Sequence, residues 1–171
     1  WWPNMVGPGL PFDTDKYFII CPNVIGGCQG STGPSSLAPD GKRYGSRFPT
    51  LTVRDMTNAE VLFSDAIGIS KYRLAVGPSL GGMRSLEWAI EHPERVGAIC
   101  TIGSSAVATG DQIGGFSVQI RAIKSDPNFH GGDFYNHSQG PIEGLGIARR
   151  IAHLTYRTES EMDVRFGRQM Q

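Results

Sequence analysis

Residues 75–83 read AVGPSLGGM. The run YRLAV (72–76) stops at Gly77, and Ser79 then stands between a proline and two further glycines, Gly81 and Gly82. Gly77-Pro78-Ser79-Leu80-Gly81 fits G-x-S-x-G, a pattern that carries chemistry when a strand precedes it and a helix follows. KYRLAV (71–76) reads as the strand. Leu80 to His92 reads as the helix, with Met83, Leu86, Ala89 and Ile90 at helical spacing and Pro93 ending it. At so sharp a turn, a side chain at position 77 or 81 is expected to collide with neighbouring backbone. The turn lifts the Ser79 hydroxyl clear of the sheet edge, at a helix N-terminus whose free N–H groups and dipole favour negative charge. The Leu80 N–H is then placed to donate to an oxyanion. An ordinary Gly/Pro turn offers the same five residues, but the two flanks and Gly82 favour a nucleophilic serine. The reading requires a tight bend with a pocket above the hydroxyl. A hydroxyl packed inside, or facing bulk solvent with no pocket over it, would leave only common ancestry.

The rest of the chain extends the pattern outward. Residues 1–16 form an opening loop, in which the paired Trp1 and Trp2 are expected to pack. KYFIICPNV (16–24) is a continuous apolar run suited to a buried strand. A long loop, 26–49, follows; its GGCQGSTGPSS segment lacks the Gly-Lys-Ser/Thr of a phosphate loop. Thr52 with Asp55 three residues on predicts a capped helix start, with a stripe of Met56, Ala59, Phe63 and Ala66 and Gly68 at its C-terminal stop. RVGAICTIG (95–103) is the third strand. Strand, helix, strand, helix, strand is the signature of a parallel sheet with right-handed crossovers. After residue 104 only helical segments follow, about 111–125 and 143–156, so 1–104 reads as a sheet core and 105–171 as a helical lid.

Bulk properties exclude several classes. The chain has 171 residues, with sixteen basic and sixteen acidic side chains; it offers no field for nucleic acid or an anionic membrane. No apolar run nears the ~20 residues of a membrane span. Three cysteines, Cys21, Cys28 and Cys100, without a C-x-x-C pair, argue against a disulfide framework or a metal site and for a cytoplasmic setting. The start on Trp1 and the RFGRQMQ ending suggest a piece of a longer chain.

A serine needs a base, and in this arrangement an acid and then a histidine follow the serine in sequence. His92 closes the helix that begins beside Ser79, roughly 18–20 Å away at ~1.5 Å per residue, and is too far. His130 and His137 lie in a polar loop and are expected to be solvated; His153 lies on a lid helix. The acid and base are therefore expected outside the chain. On the lid helix, Ile147, Ile151 and Leu154 form one apolar stripe, while Arg149, His153 and Tyr156 share another face about 200° round. By pattern alone that second face suits solvent.

The stretches WWPNMVGPGLPFDTDKYFIICPNVIGGCQGSTGPSS, YGSRFPTLTVRDM, VGPSLGGMRSLEWAIEHPERV and GLGIARRIAHLTYR resemble the homoserine O-acetyltransferases, with an actinobacterial flavour, from Trp1 to Gln171. The resemblance implies an α/β-hydrolase fold with a helical lid, and transfer of acetyl from acetyl-CoA to the hydroxyl of L-homoserine in methionine biosynthesis. It implies Ser79 as the acylated nucleophile and the Leu80 N–H as one oxyanion donor. Arg149 would hold the homoserine carboxylate, and Tyr156 would face the same cavity. No metal and no cofactor are implied beyond acetyl-CoA as co-substrate; a homodimer is. The family elbow more often reads G-G-S-M-G-G, so Pro78 and Leu80 depart from it at variable positions. The second oxyanion donor would lie before Trp1 and the acid and histidine after Gln171, in a protein about twice this length. The isolated chain is then expected to be inactive. Relatives with a succinyl donor, or with serine or deacetylcephalosporin C as acceptor, a serine esterase of the same fold, and a non-enzymatic interaction module are the alternatives.

Overall fold

Two parallel strands organise the chain, which is described here over residues 2–168 of a computed structural model. Strand β1 (Ala75–Pro78) pairs with β2 (Ile99–Ile102) in the register Ala75↔Ile99 to Pro78↔Ile102. Parallel neighbours need a crossover, and helix α2 (Leu80–Glu91) supplies it, packing on both strands. The ladder is shorter than the apolar runs: before β1, only the Tyr72↔Val96 bridge continues the pairing. Of the expected strand at 16–24, no regular ladder forms. The segment has no regular secondary structure past Lys16 and is largely exposed, Phe18 by 80%, and its Tyr17 ring lies under the Arg73 guanidinium at 5.8 Å. An apolar run supplies side chains for a strand, but a strand exists only with a partner's N–H and C=O groups beside it. Among the described residues none lines up there.

Helix α1 (Val53–Ala66) starts as its sequence predicts. Thr52 accepts from the Asp55 N–H and the Asp55 carboxylate accepts from the Thr52 N–H, a complete capping box, and Gly68 takes φ 78° just past the helix end. The face it buries differs from the predicted stripe. Thr57 and Ser64 are sealed, whereas Phe63 is 40% exposed. Both hydroxyls are satisfied inside the helix by Val53 and Glu60 carbonyls, and Ser64 also meets the Tyr72 hydroxyl at 2.8 Å. Between them Glu60 reaches across to α2, accepting from the Trp88 indole N–H at 2.9 Å and from the Arg84 guanidinium. Trp88, 4% exposed, also meets the Tyr72 ring edge-on at 5.5 Å. This polar-walled tryptophan is the centre of the core.

The helices expected after residue 104 are present as α3 (Gly110–Lys124) and α4 (Ile142–Thr155), followed by a short α5 (Glu159–Phe166) outside the expected segments. α3 carries its own capping box, Thr109 with Gln112. α4 begins after Pro141, which cannot cap; instead Asp126, at the end of α3, accepts from the Gly144 N–H at 2.8 Å. The two helices meet at Gly144, where a Cβ would lie 2.5 Å from the Ala122 carbonyl oxygen. The buried face of α4 is thus Gly144 and Ala148, not the predicted isoleucine stripe, and Ile147 and Leu154 stay 47% and 61% exposed. Among the described residues, the side-chain hydrogen bonds that cross from 1–104 to the residues after it run from the Ser46 N–H and hydroxyl to the Asp133 carboxylate, 2.8 and 2.7 Å. Trp2 stacks on Phe12 at 5.6 Å, as expected of packing; Trp1 lies outside the described residues.

Two measurements test this packing. Trp88→Phe strands the Glu60 oxygen and is expected to lower stability by roughly 1–3 kcal/mol in denaturant titrations. The Asp126 carboxyl is held below its ordinary value of 3.8, chiefly by the Gly144 and then the Asn128 N–H. Its folded value is depressed, so its contribution is complete above the ordinary value and is lost as pH falls through the lower one. Amide exchange at Gly144 should therefore accelerate, relative to its intrinsic rate, below about pH 4, and Asp126→Asn should remove that pH dependence.

Candidate active site

Ser79 joins β1 to α2 with φ 51° and ψ −121°, a left-handed backbone at a residue that carries a side chain. Serine ordinarily caps the helix it precedes by accepting from the second or third N–H. Here it does not: the Ser79 side chain makes no capping hydrogen bond. The carbonyl takes over, accepting from Gly82 N–H at 2.9 Å and Met83 N–H at 3.2 Å, and the hydroxyl is left exposed, with no hydrogen-bond partner among the described residues. The Leu80 N–H, first of the helix, also has no acceptor among the described residues. A free hydroxyl and a free first-turn amide thus stand side by side at the C-terminal edge of the parallel pair. In open α/β sheets that edge is where ligands bind.

The glycines behave partly as expected. A Cβ at Gly77 would lie 2.5–2.6 Å from the Gly81 main chain, so position 77 admits glycine alone. At Gly81 the expected collision does not occur; its Cβ would meet Pro78 Cδ at 3.4 Å and Arg84 Nη2 at 3.9 Å. The second crowded position is Gly82, whose Cβ would sit 2.6 Å from the Ser104 side chain. Ser104 was not singled out from sequence. It follows Gly103, whose φ of 54° turns the chain back over the elbow, and its hydroxyl donates to the Ser79 carbonyl. No short-range pattern marks it, because its partner lies 25 residues away.

The other named residues do not gather round Ser79. Arg149 and Tyr156 are exposed, Tyr156 by 78%, and no hydrogen bond or ion pair among the described residues joins either to the elbow. His92 is turned to Asn58, 3.2 Å away, at the far end of α2. His130 and His137 are exposed, as expected, and also stack on one another at 3.7 Å. His153 is exposed on α4. Two hollows lie away from the elbow. One, of about 420 Å³, lies between loop 37–47 and the turn at 133–136 and is lined by Lys42, Arg43, Arg47, Asp133 and Tyr135; burial pushes the Tyr135 phenol up. The other, about 590 Å³, opens at Tyr72 and Gly97, before the strands rather than after them. The bend required of Ser79 is present, then, and neither of these two hollows has Ser79 in its lining. These residues alone do not make a complete acyl-transfer site.

A family model described as the alpha/beta hydrolase fold matches residues 1–171. The chain belongs to the alpha/beta hydrolase fold family. Its sequence is similar to the homoserine O-acetyltransferase of Thermobifida fusca (strain YX), 53% identical over 172 residues that cover 100% of this chain and 45% of that protein. Its structure is similar to the homoserine O-acetyltransferase of Bacillus anthracis, with a TM-score of 0.90 at 28% identity over 99% of this chain and 47% of that one. It is also similar to esterase E22, with a TM-score of 0.88 at 28% identity over 95% and 46%. The chain spans about half the length of the curated relatives it matches. An alpha/beta hydrolase fold accounts for the parallel pair, the crossover helix and the serine between them. No helix of the described residues is long and apolar enough to cross a membrane.

The elbow yields a paired test. Gly77→Ala is expected to destabilise by roughly 1–3 kcal/mol or more, as overpacking against fixed backbone does. Gly81→Ala, in helical conformation with room for a methyl, is expected to be neutral or to stabilise by up to about 1 kcal/mol. Thermal melts of the two variants check both.

Proposed function

We propose that this chain carries the nucleophile of an O-acyltransferase that moves acetyl from acetyl-CoA to the hydroxyl of L-homoserine. The observation behind the reading is the Ser79 hydroxyl, released from helix capping by its own backbone conformation and set beside a Leu80 N–H that has no acceptor among the described residues. Ser79 Oγ attacks the thioester carbonyl and gives its proton to a base; the carbon–sulfur bond breaks and the CoA sulfur leaves as thiol with that proton. The acetyl-serine ester is then attacked by the homoserine hydroxyl, whose proton passes through the base back to Ser79 Oγ. Negative charge on the carbonyl oxygen is stabilised by the Leu80 N–H in both steps. The acid and the histidine base come, in this reading, from parts of the full-length protein outside these residues. Arg149, a planar fork suited to a carboxylate, and Tyr156 hold the acceptor from the lid.

The reading treats 1–104 as core and 105–171 as lid, and needs no metal or cofactor besides the CoA co-substrate. It places the enzyme in the cytoplasm as a homodimer. Apolar side chains exposed on the lid, among them Ile113, Phe116 and Leu154, suit a covered face. The sequence likeness to acetyltransferases at 53% identity supports transfer; the structural likeness to esterase E22 favours hydrolysis as the second reading.

One assay separates them. The full-length protein is given acetyl-CoA with and without homoserine, and thiol release is followed. Release that depends on homoserine is expected; release indifferent to any amino acid means hydrolysis, and release stimulated by serine alone moves the acceptor. Ser79→Ala should abolish the acetyl adduct on an intact-mass spectrum, and an adduct persisting elsewhere would displace Ser79 from its role.

A further inference from the structure

We propose that Ser104 is a positioning residue for the oxyanion donor, acting through the peptide plane that joins Ser79 to Leu80. This rests on the acyl-serine reading above. A trans peptide is rigid, and its C=O and the following N–H point in opposite directions. Whatever fixes the Ser79 carbonyl therefore aims the Leu80 N–H. Among the described residues that carbonyl accepts three hydrogen bonds, from the Gly82 N–H, the Met83 N–H and the Ser104 hydroxyl. The first two belong to the first turn of α2 and come with the helix. The third comes from the neighbouring strand end, and it ties the peptide to the sheet.

The tether has a second half. The Ser79 N–H donates to the Ile102 carbonyl at 2.9 Å, continuing the β1–β2 ladder past its last paired residues. Ser79 is thus gripped on both sides by one three-residue segment: Ile102 takes its N–H, Gly103 turns at φ 54°, and Ser104 reaches its carbonyl. Gly82 leaves the space that Ser104 fills, since a Cβ there would lie 2.6 Å from the Ser104 Oγ. A left-handed serine is strained and holds its geometry only where the surroundings over-determine it. The grip of Ile102 and Ser104 provides that determination at the sheet, and preorganised donors stabilise developing charge because they need not reorient.

The test uses the full-length protein, acetylated by ¹³C-labelled acetyl-CoA without acceptor, and reads the ester carbonyl stretch by isotope-edited infrared spectroscopy alongside steady-state kinetics. Ser104→Ala keeps the Cβ that packs on Gly82 and removes the donor. It is expected to raise the carbonyl stretch, to lower kcat on the order of tenfold, less than the ~10²-fold or more of losing an oxyanion donor outright, and to leave KM for acetyl-CoA unchanged. Ser104→Thr, which restores a hydroxyl, should return both stretch and kcat toward wild type. Ser104→Cys, similar in size with a weaker donor, should fall between, and it carries the test if the alanine variant does not fold. A wild-type stretch in both the alanine and the cysteine variants, or a kcat loss that follows melting temperature with the stretch unmoved, overturns the proposal. A wild-type protein that forms no adduct on Ser79 overturns instead the acyl-serine reading beneath it, and this proposal with it.

Discussion

At Ser79 the chain leaves a strand and enters a helix within one residue, and a φ of 51° is the conformation that allows it. For any residue but glycine this costs free energy, of order 1–3 kcal/mol. The surrounding contacts offset it. The ladder takes the Ser79 N–H, the first turn of α2 and Ser104 take its carbonyl, and Gly77 and Gly82 make way for the main chain and side chain that close in. The same conformation keeps the hydroxyl from the capping bond a serine would normally make. Strain and chemical availability are one feature seen from two sides.

Support for the elbow comes from beneath α2 as well. Glu60 on α1 binds both Arg84 and Trp88 one and two turns into α2, so the helix whose first amides flank Ser79 is held in place by a carboxylate on its neighbour. Both sides of that contact are partly buried, the Arg84 side chain 20% and the Glu60 side chain 13% exposed. Removing one member of such a pair leaves a charge without its partner in a poorly hydrated place. With only Trp88, Val96 and Ala148 as buried apolar side chains among the described residues, this polar contact carries a larger share of the packing than in a thicker core.

What the sequence made legible was local. Thr52 with Asp55, Gly68 and Pro93 mark helix ends because their partners lie within a few residues, and the structure places the ends there. The G-x-S-x-G bend was legible for the same reason. Strand 16–24 was overread because a ladder depends on a distant partner that side-chain hydrophobicity does not report. The buried faces of α1 and α4 were misassigned because close helix approach selects Thr57, Ser64, Gly144 and Ala148 for smallness, and a search for large apolar residues passes over them. Ser104, the Asp126 cap of α4 and the Ser46–Asp133 contact escaped notice because each joins residues that are neighbours only in space.

The obstacles at Gly77 and Gly82 differ in kind, and so does the freedom of each site to drift. What excludes a methyl at 77 is peptide backbone, which every residue at 81 possesses; no exchange elsewhere in the chain relieves it. What chiefly excludes one at 82 is a side chain, that of Ser104, with the Gly77 carbonyl oxygen a tighter-than-usual neighbour at 3.0 Å. Bulk at 82 therefore requires position 104 to give up its whole side chain, and with it the hydroxyl that holds the Ser79 carbonyl, while no exchange at 81 releases 77.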